Sequence, residues 1–223
     1  MATKMMTKTT TKTTTVISPL KPTPAKPTVT TTPTAPTAPL PPISIKKDVS
    51  PSAWYYNDVK WIYEQGLMFG LSVDQFGIGV HSTRGSIANV LALHGNIDLT
   101  KYPSSLRWFD SSMKWASEYK LFGSDIADGA TPLTRESMAV LINNYLKYQG
   151  FVLPKASATT KFTDIKNLSA EKQNAIKIAN QLGLLSGKSA TTMAPKDLVT
   201  MEEVAAIVHR VDSLLLPKTI AHN

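Results

Sequence analysis

The chain has no cysteine among its 223 residues, so neither disulfides nor thiolate metal sites contribute and stability must come from packing. No apolar run approaches the roughly 18 residues that a membrane-spanning helix needs, which argues against membrane insertion. The opening "MATKMMTKTTTKTTT" lacks the apolar centre of a secretory signal, so no export signal is expected within it. Acidic residues are missing from residues 1–47, which carry seven lysines, Lys4, Lys8, Lys12, Lys21, Lys26, Lys46 and Lys47. The formal charge of +8 therefore belongs almost wholly to this segment, and the other 176 residues carry only +1. The same segment has no arginine and no aromatic residue for base contacts, so nucleic acid ranks last among partners.

Residues 1–47 are mostly Thr, Pro, Lys and Ala, with no glycine. Such a composition cannot form a core and favours extended or polyproline II backbone. Some 40 residues of this kind reach on the order of 120 Å at about 3.1 Å each. This segment is expected to act as a spacer arm, or as a docking arm for a protein assembly partner.

From Trp54 onward aromatic residues, glycines and regular apolar spacing appear together. Thr83, Thr134 and Thr200 each precede an apolar set at i, i+3, i+4 and i+7, the spacing of one helix face. The sets are Ile87, Val90, Leu91 and His94, then Met138, Leu141, Ile142 and Tyr145, then Val204, Ile207, Val208 and Val211. Upstream of each lies another helical segment, "WYYNDVKWIYEQGLMFG", "RWFDSSMKWASEYKLFG" and "EKQNAIKIANQLGLLSG", with Gly70, Gly123 and Gly187 marking the turns. Trp54 and Trp61, like Trp108 and Trp115, are seven residues apart, which puts each pair on one helix face. Glu171 and Ile178 hold those positions in the third copy. The expected fold is mainly α: three helix-loop-helix repeats stacked on one another behind an extended N-terminal arm. Its boundaries are residues 1–50 for the arm, 51–100, 101–154 and 155–216 for the repeats, and 217–223 for a tail.

Threonine suits the N-cap because its side-chain oxygen accepts from a free backbone N–H of the first turn. Thr200 with Glu203 reads as a full capping box, whereas Ser86 and Ser137 should cap less completely. Capping does not explain Arg84 and Arg135, since a cation at a helix N-terminus opposes the macrodipole by about 0.3–1 kcal/mol. An arginine beside free N–H groups makes an anion site, and its bland alternative is a partner carboxylate. Met201 stands at that position in the third copy, which argues for loss of its site.

An aromatic-led helix, a glycine turn, a loop and a "TR" phrase opening a second helix together resemble the S-layer homology domain of bacterial cell-envelope proteins. The resemblance runs over about residues 51–214, as three copies. It implies a pseudo-threefold helical bundle whose inter-repeat grooves bind secondary cell-wall polysaccharide, commonly bearing ketal-linked pyruvate. By that resemblance Thr83, Arg84, Thr134 and Arg135 would hold the anion, Trp54 and Trp108 would stack on a sugar face, and Gly70 and Gly123 would let loop backbone approach the ligand. Two working grooves are then expected, and the third is in question. Core packing is the expected role of Trp61 and Trp115. The expected partner is an anionic wall polysaccharide, the expected location is the bacterial cell surface, and neither catalysis nor a cofactor is implied. The alternative is a structural component of a larger assembly, such as a phage virion protein docked through its arm. "SGKSATT" at 186–192 fails as a phosphate loop because Leu182 stands where glycine is required. The four histidines show no metal-ligand spacing.

Overall fold

A computed structural model describes residues 40–103, 106–125 and 127–216. The greater part of the N-terminal arm, residues 1–39, and the tail at 217–223 lie outside the described residues. The architecture is helical: α1 (Tyr56–Glu64), α2 (Arg84–His94), α3 (Asp110–Glu118), α4 (Arg135–Tyr148), α5 (Ala170–Gln181) and α6 (Met201–Leu215). Short 3-10 turns occupy Ile43–Ile45 and Leu99–Lys101.

The helices pair across the repeat boundaries. α2 packs on α3, α4 on α5, and α6 returns to pack on α1, so the array closes on itself. What fixes this closure is the short extended stretch before each "TR" phrase. Ser82 N–H donates to Val199 O at 2.8 Å, Val199 N–H to Leu133 O at 2.9 Å, and Leu133 N–H to Ser82 O at 2.9 Å. Each repeat thus gives one bond and receives one, a cyclic set about a pseudo-threefold axis. A second ring surrounds it: Arg84 N–H to Thr131 O, Arg135 N–H to Asp197 O, and Met201 N–H to Val80 O, at 2.9–3.0 Å.

Those bonds change the expectation for the helix starts. The N–H groups of Gly85 and Glu136 are also taken, by Gly129 O at 2.7 Å and Pro195 O at 2.9 Å, and those of Ser86 and Ser137 by the capping threonines. The first-turn amides are therefore not free for an anion, because neighbouring loops already satisfy them. Ser86 also caps better than expected. Its hydroxyl accepts from Thr83 N–H at 3.0 Å while Ser86 N–H donates to Thr83 Oγ1, completing the capping box.

At the other end of the axis the three inner helices meet at His94. Its ring nitrogens lie 2.6 Å from the Tyr145 hydroxyl of α4 and 3.2 Å from Asp212 Oδ1 of α6. The histidine that breaks the apolar set of α2 is thus a polar junction joining all three. Tyr145 is fully buried, as are Leu91, Leu141, Ile142, Val208 and Val211 around the axis. Trp115 also belongs to this core, and Trp61 stacks on His209 at 4.5 Å.

Two aspartates that sequence reading passed over hold the loops before the second helices. Asp48 accepts from the N–H groups of Phe76, Gly77 and Ile78 at 2.6–3.0 Å, and Asp164 from those of Met193 and Ala194 at 2.7–3.0 Å. Burial opposes ionisation of both carboxyls, but these bonds hold each below the ordinary aspartate value.

Candidate functional site

Cyclic closure puts residues from all three repeats into each inter-repeat groove, and this decides which candidate residues meet. Trp54 and Trp108 each precede their helix by two residues, in a turn and not on a helix face as expected, and both are largely exposed, 64% and 67%. A large apolar ring held at the surface in this way is available for contact.

In the first groove Trp54 meets Arg135. The cleft, about 180 Å³, is lined also by Gly187, Lys188, Glu203 and Arg210, among others. Arg135 is 4% exposed. Its Nε donates to Met193 O at 3.0 Å and its Nη2 to Ser186 O, while its nearest carboxylate, Glu203, stands 3.9 Å away. Burial depresses the Arg135 pKa, and Glu203, Asp197 and Asp164 work against that. Glu203 is itself engaged, accepting from Lys188 Nζ at 2.6 Å and from Thr200 N–H at 3.1 Å. Burial resists its ionisation, but the Lys188 bond leads the interactions that hold its carboxyl below the ordinary range. The lining thus sets three cations, Arg135, Lys188 and Arg210, against one carboxylate. An excess of positive charge beside an exposed indole suits a ligand with an acidic group and an apolar face.

The second groove, about 380 Å³, brings together Trp108, Thr83 and Gly70, with Met201 where the first groove has Arg135. Its lining holds no Lys, Arg, Asp or Glu, and is mostly apolar, with Phe69, Leu71 and Leu93 about half exposed. Gly70 does not end α1. Gly66 does so, and Gly70, at φ +87°, makes a later turn in which a Cβ would strike Gln75 O at 2.5 Å.

The third position holds Arg84, Thr134 and Gly123, and its arginine is already partnered. Arg84, 4% exposed, is ion-paired with Asp125, donates to Ser137 Oγ at 3.2 Å and lies over the Phe122 ring at 5.0 Å. Glu171, which occupies the position of the two tryptophans, accepts from Ser124 Oγ at 2.8 Å. Gly123 lies against the exposed Glu171 side chain, and its φ of +63° is the backbone conformation that favours glycine. Arg84 has the partner carboxylate that was the bland alternative for either arginine.

Of the eight candidate residues, only Trp54 and Arg135 share a groove with net positive charge. Lys188 and Arg210 were missed. Arg210 follows Glu203 by seven residues on α6, a same-face spacing readable in sequence, whereas Lys188 is placed only by the turn at Gly187.

Residues 47–77 and 161–205 match the S-layer homology domain. Over 141 residues, 57% of the chain, the sequence is 26% identical to the surface-layer 125 kDa protein of Lysinibacillus sphaericus. Over 190 residues, 79% of the chain, it is 25% identical to an endoglucanase of Bacillus sp. (strain KSM-635). The chain spans only 11% and 19% of those two proteins. The chain thus carries S-layer homology sequence at residues 47–77 and 161–205, within the closed ring of three helix-loop-helix units.

Proposed function

We propose that the first groove binds an anionic, pyruvylated unit of secondary cell-wall polysaccharide, with Trp54 stacking on the sugar and Arg135 and Lys188 receiving the carboxylate. S-layer homology domains bind cell-wall polymers and anchor surface proteins, and this chain is a cell-surface module of that kind. Among the described residues no helix is long and apolar enough to cross a membrane. The observation that carries the finer reading is the meeting of an exposed indole with a cluster of three cations and one carboxylate. A guanidinium fork and an ammonium in one partly enclosed cleft recognise a carboxylate through charge-assisted bonds. On this reading the chain is a non-catalytic binding module, and the second and third positions do not take the charged unit: one lacks a cation and the other holds its own carboxylates.

The test is calorimetric titration of the whole chain with purified wall polymer, native and after removal of the pyruvate ketal. Saturable binding at one site per chain, lost on depyruvylation, is expected. Equal binding of both polymers would overturn the assignment of the carboxylate to this groove.

A further inference from the structure

A separate recess of about 300 Å³ shares no lining residue with either open groove. It lies between the turn after α2 and the C-terminal ends of α3 and α4. Its walls include Tyr102, Tyr119 and Tyr148, with Asp98, Glu118 and Lys101. Tyr119 and Tyr148 meet as a corner, their ring centroids 4.6 Å apart and their planes at 71°. Trp115, fully buried, backs Tyr148 at 5.6 Å and 78°. The loop carrying Tyr102 is tied to α3 by the bond from Lys114 Nζ to Pro103 O. The corner is therefore built on packed elements.

Burial raises the Tyr102 and Tyr148 pKa values, against the lowering effect of Trp115 on Tyr148, so these phenols stay neutral and present the negative ring faces that attract cations. Of the two carboxylates, Asp98 is engaged locally by Thr100 and, at 3.8 Å, by Lys101. The Glu118 carboxylate makes no side-chain hydrogen bond or ion pair among the described residues, and its charge acts on Tyr102 and Tyr148. The cation–ring contacts in the described residues join Lys46 to Tyr63, Arg84 to Phe122, Arg107 to Phe109 and Lys161 to Phe162. None reaches these three tyrosines, so Lys101 does not fill the corner.

We propose that this recess binds a small organic ammonium group, held against the Tyr119 and Tyr148 rings with Glu118 as counter-charge. An anion is disfavoured, because two carboxylates outnumber the one lysine. Tyr119 and Tyr148 touch edge to face and both line the recess, where their ring surfaces attract a compact cation, whereas a flat sugar stacks on a single open face.

The experiment is an NMR titration of the whole 15N-labelled chain, following the amides of Tyr119 and Tyr148. Two cations are compared with neutral counterparts: choline with 3,3-dimethylbutan-1-ol, and glucosamine with N-acetylglucosamine. The expected result is saturable shifts at these amides for at least one cation, with its neutral counterpart weaker by roughly tenfold or more. Which cation saturates identifies a quaternary or a primary ammonium as the ligand. Glu118→Gln, at an exposed position that leaves the fold intact, is expected to weaken binding roughly fivefold. Failure of both cations to saturate, equal binding of cation and counterpart, or an unchanged affinity in Glu118→Gln overturns the proposal.

Discussion

Trp54, ahead of the first helix of repeat one, and Arg135, at the start of the second helix of repeat two, line the same cleft. Cyclic closure brings them together: α6 packs back on α1, carrying Trp54 to the third repeat's turn, where Arg135 already reaches Ser186 and Met193. The two tryptophans and two arginines of the chain's repeat positions therefore coincide once.

Trp54 and Trp108 are close equivalents in exposure, and they differ in the charge beside them. Trp54→Ala is expected to weaken binding of pyruvylated polymer by about 1–2 kcal/mol, and Trp108→Ala to leave it unchanged. Neither should alter the thermal midpoint appreciably, since both rings lie outside the core. Calorimetry and thermal unfolding of the two variants check this.

Met201 holds the position in the second groove that Arg135 holds in the first. Met201→Arg would supply a cation beside Trp108 and the hydroxyls of Thr83 and Ser86. Titration of this variant with pyruvylated polymer is expected to show a second site per chain, because a charge-assisted bond contributes about 1.5–3 kcal/mol. An unchanged stoichiometry would show that the missing cation is not what distinguishes the grooves.

Arg84 serves the fold in this account. Removing one partner of a buried ion pair leaves the other uncompensated, so Arg84→Ala is expected to cost about 3 kcal/mol in urea unfolding. Polymer affinity at pH 7, measured on the folded protein, should not fall.

Asp48 and Asp164 make stability depend on pH. Both carboxyls sit below their ordinary value of 3.8 in the folded chain. Their contribution is thus fully present above the ordinary carboxylate range and is lost as pH falls through their folded values. Asp48→Ala is expected to cost about 2 kcal/mol at pH 7, since it strands three backbone N–H groups. In acid the gap to the wild type should narrow, because the wild type loses the same bonds; urea unfolding at a series of pH values measures both.

Helix periodicity made α2, α4 and α6 legible, because the sets at i, i+3, i+4 and i+7 are residues that pack about the axis. The repeat also gave the correct caps at Thr83 and Thr134, though not the completeness of the Ser86 box. The pairing of grooves was not legible. It depends on bonds such as Ser82 to Val199, between residues more than 100 positions apart, and no local pattern encodes which repeat's tryptophan reaches which repeat's arginine. The partners at the third position were equally hidden. Asp125 and Glu171 are unremarkable in sequence and acquire meaning only when the loop after Gly123 carries one to Arg84 and α5 brings the other to Ser124.

The central claim is that a single groove receives the charged sugar. The measurement that tests it most directly is an NMR titration of the tryptophan indole resonances with a pyruvylated fragment of the wall polymer. A saturable shift of the Trp54 indole is expected while those of Trp108, Trp61 and Trp115 stay in place. A Trp108 shift of similar size, or an unmoved Trp54, would contradict it.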